Sequence, residues 1–511
     1  MSLIGGLKKM VTNAAIRILD LRPATDKKIV INEPLSHVGN VTRNRLWYRG
    51  EPSELDQFFK ATANQNDLVS KSRFWAATPS ADSNIRKMHS GLPAMIADRL
   101  TDIVVADIDN IEVTTASDVW EEIEKENKFN DLIEEAITKT LVEGDGAFKI
   151  SGDSELSKYP IIEFFSGDRV DYKFNRGRLT DVLFYTSYRK GSKEYVLEED
   201  YGKRYITYKL YLEGKEVPLT SIEETATLVD ATYSGDYIAA LPLKFFKSPK
   251  FENRGKSVFD TKSDAFDSLD EVISQWIDAF RDGRVNKYIP DCLLPRNPET
   301  GEVIKPNPFD NRYISTGSDA SENARNEIKT TQAEINYEAF IESYAKALDL
   351  CLQGIISPAT LGIDLKKTDN AEAQREKEKT TLYTRGKMVD TLTEVIPCLI
   401  DLILKVNDEL SNKTPGKYEA TIEFGEYASP SFDNVVDIVG KAKSFGIMSI
   451  EQCIDEMYGD TWTDEDKAKE VQRIKEQNGM IETEEPKVVD EEDLNNPNDI
   501  EDEDDLDGQK E

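Results

Sequence analysis

Two histidines, His37 and His89, are all that a chain of 511 residues offers for acid–base work near neutral pH. A serine or cysteine nucleophile needs an adjacent base, and the zinc motif H-E-x-x-H needs two histidines one helical turn apart. Supply therefore nearly excludes both. His89, in KMHSGL, reads as a surface or helix-end residue. The segment KFENRGKS (Lys250 to Ser257) comes near the phosphate-loop pattern G-x-x-x-x-G-K-[ST], with Gly255, Lys256 and Ser257 in place and Lys250 where the first glycine should stand. Without that glycine the backbone cannot fold its N–H groups into a cradle, so a turn leading into a helix is expected. Gly144 and Gly146 in EGDGAFKI lack the third glycine and the following helix of a dinucleotide fingerprint. Asp107 and Asp109 in VADIDN could offer paired carboxylates to a metal, as in a nuclease, or could alternate outward on a strand or helix end; the second is expected. The cysteines Cys292, Cys351, Cys398 and Cys453 show no CxxC pairing and read as reduced, buried thiols. No enzyme activity, metal or cofactor is expected. Lys366 and Lys367 form a basic pair on a loop of an otherwise acidic protein, either solvated or placed to touch phosphate without gripping it.

The elements that must carry these residues are set by hydrophobic period. Between Asp260 and Asn407 the order is helix, proline-rich excursion, helix, short loop and long helix. DTKSDAFDSLDEVISQWIDAFRDGR places Phe266, Leu269, Ile273, Trp276, Ile277 and Phe280 on one face and aspartates on the other. Pro290, Pro295, Pro298, Pro306 and Pro308 exclude a helix through residues 284–330, where NPETGE predicts a turn between short strands LLP and VIK. A second amphipathic helix follows from Ile335 to Leu352. Asp369 and Glu372 resemble a capping box for a long helix, and Pro397 within it predicts a bend just before the proline.

Upstream, residues 53–140 read as helical, with one run from Ala116 to Leu141 stopped by Gly144. From Ala147 to Phe246 the pattern becomes alternating runs separated by SGDR, NRGR and RKGSK, which predicts a mainly antiparallel β region. KYEATIEFG reads as a strand, and residues 431–478 as acidic helices. At the N-terminus, Lys8 and Lys9 interrupt the apolar stretch, so no signal peptide is expected; Leu3, Leu7, Met10, Val11, Ala14, Ile18 and Leu19 would stripe a helix docked on its own domain or on a partner. No apolar run is long enough to span a membrane, and none is expected to do so.

Net charge is −33, and the segment Glu482–Glu511 contributes 15 acidic residues against Lys487 and Lys510. That tail offers no apolar surface to offset ordering entropy and is expected to be disordered. The remaining acidity argues against a protein that grips nucleic acid, though not against one that DNA slides past.

Two segments carry a resemblance. LWYRGEPSELDQFF (Leu46 to Phe59) resembles the N-terminal motif of bacteriophage portal proteins, the gp6-like family of tailed phages of Gram-positive hosts. SPATLGIDLKKTDNAEAQREKEKTTLYTRGKMVD (Ser357 to Asp390) resembles the loop and long-helix segment of the same family, and the order between them matches across roughly residues 40–480.

The resemblance implies an α+β portal fold, with a helical stem, a β-containing wing and clip and a helical crown, as one subunit of a closed dodecameric ring at a capsid vertex. Double-stranded DNA would be packaged and ejected through the ring. Terminase and then the head-tail adaptor would dock on it, with major capsid and scaffolding proteins as further partners, in the virion and, during assembly, in the host cytoplasm. Carried onto this chain, 1–40 is an N-terminal segment, 41–259 wing, 260–283 and 335–355 stem helices, and 284–334 clip. Residues 356–368 are the tunnel loop, 369–430 wing, 431–480 crown and 481–511 the acidic tail. The loop's place puts Lys366 and Lys367 near DNA. Asp264, Asp267, Asp270, Glu271 and Asp278 become either channel wall or ordinary solvated helix face. The alternatives are a metal-dependent nuclease and an acidic scaffold or adaptor protein.

Overall fold

The computed structural model describes residues 35–63, 72–78, 85–304, 313–317, 327–363, 371–425, 432–458 and 462–477. The expected N-terminal helix, the capping box at Asp369, the pair Lys366 and Lys367, and the acidic tail lie outside these residues. The chain divides into two compact units, Met1–Tyr427 and Ala428–Glu511, and the fold is mixed α and β.

The first unit begins with helices α1 (His37–Arg49) and α2 (Pro52–Thr62), then α3 (Leu92–Ala106), strand β1 (Ile108–Val113), α4 (Ser117–Asn127) and α5 (Phe129–Glu143). Two departures from the sequence reading stand here. The long helical stretch is broken by β1, which pairs antiparallel with a strand more than three hundred positions later in sequence. The run from Ala116 to Leu141 is also two helices, parted at Lys128, whose backbone sits at φ +47°. Asn127 explains the break. Its side-chain amide donates to the Ile123 and Pro160 carbonyls, both at 3.0 Å, and its oxygen accepts from Ile162 N at 2.9 Å, satisfying groups that a continued helix would have had to abandon.

Strands β2 (Gly146–Ser151), β3 (Ile161–Ser166), β4 (Val170–Asn175), β5 (Arg178–Lys190), β6 (Lys193–Gly202), β7 (Tyr205–Leu212), β8 (Lys215–Val217), β9 (Ala231–Thr232) and β10 (Ala240–Leu243) fill the middle of the chain. One sheet has the order β10-β2-β3; the other runs β4-β5-β6-β7-β8 with β9 against β7, all antiparallel as expected. Burial along β6 alternates with the pleat, Tyr195, Leu197, Glu199 and Tyr201 turning inward.

Helix α6 (Ser263–Asp282) then leads to β11 (Asn286–Pro290), β12 (Tyr313–Thr316) and β13 (Lys329–Thr331), followed by α7 (Tyr337–Leu352), α8 (Ala371–Leu410) and β14 (Ala420–Phe424), the partner of β1. Residues from α1 through α8 share one apolar core that includes Trp47, Trp75, Phe129, Phe148, Phe259, Phe266, Leu352 and Ile400. In the second unit, α9 (Phe432–Ser444), α10 (Ile450–Tyr458) and α11 (Asp464–Gln477) pack in sequence around Val439, Cys453 and Ile454. Lys467 to Asp455 and Lys475 to Glu451, both 2.8 Å, link α11 to α10.

The segment that nearly matched a phosphate loop is a buried junction. Gly255 N donates to Asp145 Oδ2 at 2.7 Å, Arg254 reaches Asp145 and the Val170 carbonyl, and Ser257 Oγ donates to the Val142 carbonyl at 2.6 Å. Gly144, at φ +107°, ends α5 directly against it, and a β-carbon on Gly255 would collide with the Gly144 carbonyl. Two backbones meet here with no room between them. Gly255→Ala is expected to lower unfolding free energy by about 3 kcal/mol; an unchanged urea midpoint would show that the segments part freely.

Candidate functional site

The part of the molecule most unlike an ordinary globular domain is the hairpin of α6 and α7. Gly283, after the end of α6, lies against Ile335, just before α7. At the other end Lys262 Nζ donates to the carbonyls of Leu350 and Gln353, both at 2.7 Å. The helices are therefore antiparallel. At 1.5 Å per residue α6 is about 30 Å long, and Asn336 caps α7 by accepting from Ala339 N at 3.3 Å. The excursion between them closes on a small sheet in which β11 is central, parallel to β12 and antiparallel to β13. NPETGE is a turn, as its residues predict: Asn297 N donates to the Glu302 carbonyl at 2.8 Å, with Gly301 at φ +70°. No strand forms at LLP: a single helical turn, Asp291–Leu293, ends at its first residue, and only Arg296 and Val303 are bridged across the hairpin.

The base of the hairpin is held by hydrogen bonds from short side chains. Asp260 Oδ1 accepts from Asn40 Nδ2 at 2.7 Å and Asn44 Nδ2 at 2.8 Å, and its Oδ2 accepts from Ser257 N at 3.0 Å. Ser263 Oγ accepts from Trp47 Nε1 at 3.1 Å. Asp267 accepts from the backbone N–H groups of Phe74 and Trp75, at 2.9 and 3.1 Å. Asp270 takes the Trp75 indole N–H at 3.1 Å and Ser90 N at 2.9 Å, with His89 Nδ1 at 2.7 Å, and Ser274 Oγ accepts from Met88 N at 2.9 Å. Burial raises the Asp267 carboxyl above its ordinary range, against the pull of the Trp75 and Phe74 N–H groups.

This corrects the reading of the α6 aspartates as one acidic face. Asp267 and Asp270 are buried, at 7% and 0% exposure, and face the chain's own backbone rather than solvent. Asp270 stands one residue before the outer position Glu271 and Asp267 three past Asp264, which turns both toward the segment that packs on this side of the helix. Asp264 is exposed and pairs with Arg73 at 2.8 Å. Glu271 accepts from Gln275 Nε2 at 2.9 Å, and its carboxyl is raised by partial burial and then by the charge of Asp267. Asp278 is half-buried. His89 is no surface residue either: it packs 5.6 Å from the Trp47 ring, and its Nε2 has no partner among the described residues. Gly50, at φ +69°, ends α1 against that imidazole. The LWYRG motif is thereby accounted for physically. Trp47 bonds Ser263, Tyr48 donates to Asp98 at 2.8 Å, Arg49 forks onto Glu54 with two bonds of 2.9 Å, and Gly50 makes room for His89.

After α7, Ser357 N donates to Thr381 Oγ1 at 2.9 Å and Thr384 Oγ1 to the Ile355 carbonyl at 2.6 Å, so the start of the loop is tied to α8. Pro397 lies within α8, which continues unbroken to Leu410. Asp107 is the partner of Arg385 Nε at 2.7 Å, and among the described residues no acidic, histidine or cysteine cluster could hold a metal ion. Cys351 and Cys453 are buried as expected, and burial pushes the Cys351 thiol up to about 12. Cys292 and Cys398 are exposed, contrary to expectation; Cys398 faces outward next to Pro397. Among the described residues no helix is long and apolar enough to cross a membrane.

No family model matches the chain, and no curated protein matches it. Among solved structures, a chain from one described as the neck of a native GTA particle computed with C12 symmetry is similar at 13% identity and a TM-score of 0.34. The match covers 72% of this chain and 89% of that one. A likeness at that score carries no argument.

Removing either buried carboxylate should free the segment it holds. Asp267→Ala and Asp270→Ala are each expected to cost about 2 to 4 kcal/mol and to speed tryptic cleavage at Arg86 and Lys87 under native conditions; cleavage at the wild-type rate would show that other contacts hold the residues around Trp75 and His89. A pH effect is expected from His37, which packs edge-on to Phe251 at 5.3 Å. Burial first, and then the charge of Arg254, lower its pKa from 6.5 to about 4. The folded imidazole stays neutral while the unfolded one takes a proton, so stability present above pH 6.5 is lost as pH falls toward 4. Relative to His37→Phe, the wild type should lose about 2 kcal/mol over that window, discounted because the ring keeps solvent contact. Parallel stability curves for the two proteins would refute this.

Proposed function

We propose that this chain is a portal protein: a non-enzymatic subunit of a closed ring through which double-stranded DNA enters and leaves a capsid. Two supports carry the reading. The first is the resemblance at Leu46–Phe59 and Ser357–Asp390. The second is the hairpin of α6 and α7 closed by the β11–β13 sheet, the shape expected of a stem with a clip at its end. At that end of the hairpin Phe280, Val285, Tyr337 and Ile341 are all about half exposed or more, at 48, 45, 60 and 54%. Single exposed apolar residues need no explanation, but four gathered where two helix ends meet mark a surface that wants a partner. A ring of identical subunits supplies one through head-to-tail contacts that close.

In this reading α6 and α7 are the stem, residues 284–334 the clip for terminase and then the head-tail adaptor, residues 356–368 with Lys366 and Lys367 the tunnel loop, and the second unit the crown. Of the channel-wall candidates Asp264, Glu271 and Asp278 remain, because Asp267 and Asp270 are consumed within the subunit. The motor that hydrolyses ATP is a separate protein, and no catalytic step is assigned to this chain. Negative-stain imaging and mass photometry of the purified protein test the proposal. Discrete rings with a central hole are expected, and Phe280→Glu with Ile341→Glu should abolish them while leaving the thermal midpoint of the subunit within a few degrees. A wild-type protein that stays monomeric at all concentrations would overturn it.

A further inference from the structure

The protein carries a large negative charge, yet among the described residues one cleft at the base of the hairpin is lined by three lysines and no carboxylate. It lies between the Gly255 junction, the end of α7 and the outer face of α8, has a volume of about 450 Å³, and presents Lys256, Lys262 and Lys387 together with Thr380 and Tyr383. A second hollow of about 510 Å³ adjoins it, sharing Gln353, Gly354 and Thr380 and adding Lys346. Asp349 is the one carboxylate among the described residues lining either hollow.

The three lysines are not equivalent. Lys262 is spent on the Leu350 and Gln353 carbonyls, the C-terminal end of α7 where a cation is favoured. Burial lowers its pKa, and the neighbouring charge of Lys256 adds to that effect. Neither the Lys256 nor the Lys387 ammonium has a carboxylate or carbonyl partner among the described residues, so two ammonium groups line the same space without a described counter-charge. Hydroxyls complete the lining. Tyr383 is 72% exposed, and in the second hollow Ser357 Oγ is buried without a hydrogen-bond partner among the described residues, its residue 2% exposed. Among the described residues the cleft offers the point-charge donors of lysine and hydroxyl groups, the kind of set that holds a phosphate through single ammonium contacts. That set fits a tetrahedral oxyanion.

We propose that the cleft binds a phosphate group through Lys256 and Lys387, assisted by the hydroxyls of Thr380 and Tyr383. The chemistry is common to two sources, the phosphodiester backbone of DNA and a free phosphoanion. The acidity of the surrounding surface would keep such a ligand from settling elsewhere, so the cleft would act as a local stop on an otherwise repelling wall. The inference does not depend on ring formation.

The test is calorimetric titration of the full chain with pyrophosphate and, separately, with a short DNA duplex at low salt. Pyrophosphate should bind the wild type and bind the double variant Lys256→Gln with Lys387→Gln about tenfold more weakly or worse, the loss expected for charge-assisted hydrogen bonds. Lys158→Gln, a change at an exposed lysine outside the cleft, should leave binding unchanged, and Lys256→Arg with Lys387→Arg should retain most of it. If duplex binding weakens in parallel and its salt dependence becomes shallower by about two ions, the source is DNA backbone; if pyrophosphate alone responds, it is a free anion. Either result supports the site. Failure of the wild type to bind either ligand would overturn it, as would unchanged binding by the double variant. Should that variant not fold, Lys387→Gln alone, at an exposed helical position, decides by the same criterion. A chain that remained monomeric but bound pyrophosphate through these lysines would sink the portal reading and leave this one standing.

Discussion

The structure depends on a stripe of short hydrogen-bonding side chains along α6 and just ahead of it. Asp260, Ser263, Asp267, Asp270 and Ser274 follow one another at intervals of three and four, so they lie on one side of the helix. Together they receive N–H groups from three parts of the N-terminal region: α1 through Asn40, Asn44 and Trp47, the residues after α2 through Phe74 and Trp75, and the approach to α3 through Met88 and Ser90. The donors are mostly backbone or indole N–H groups in segments without regular structure, which have no ladder to satisfy them. The helix thus replaces the missing sheet or helix partners of its neighbours. In return it is fixed along half its length, which lets the other half stand as a lever.

Next to this stripe runs an apolar one. Phe266, Leu269, Ile273, Trp276 and Phe280 repeat the same three-and-four rhythm one residue earlier than Asp267, Asp270 and Ser274. Asp264, Glu271 and Asp278 fall on a third line seven residues apart, the outer one. A one-residue offset on a helix is a rotation of about 100°, which is enough to take an aspartate from solvent to core. The hydrophobic pattern made the helix and its apolar face legible, as it did the β region, the hairpin order and the long α8. It did not separate aspartates of different fates, because a carboxylate that accepts backbone N–H groups has the same composition as one that faces water. The heptad spacing of the serines with the aspartates was the available signal. Short acceptors at core-adjacent positions of an amphipathic helix suggest an irregular segment packed against it.

What stayed hidden elsewhere shares that cause. β1 reads as the tail of a helix because its partner β14 lies far away in sequence, and only tertiary pairing makes it a strand. The break at Lys128 depends on Asn127 reaching Pro160 and Ile162, again at long range. The near-match to a phosphate loop failed for a reason the sequence did contain, the missing first glycine, yet the role of its remaining glycine could not be read without Gly144 across from it. The lysine cleft is invisible in sequence because Lys256 and Lys387 are 131 positions apart. Lys366 and Lys367 are conspicuous in sequence for the opposite reason.

The two ends of the hairpin have opposite debts. At the base, polar and apolar stripes are both satisfied by the chain itself, and Lys262 neutralises the end of α7. At the far end the same amphipathic pattern continues in Phe280, Tyr337 and Ile341, and the described residues supply little to cover it. A helix pair that was only an internal support would stop its apolar pattern where its own contacts stop. An apolar pattern left this exposed is what the proposed intersubunit surface would require, since burial of about 25 cal/mol per Å² rewards covering it. The rigid base then has a purpose beyond stability. Association of the kind proposed costs less when the contacting elements are already ordered, and the buried carboxylates of α6 would hold the hairpin in place for it.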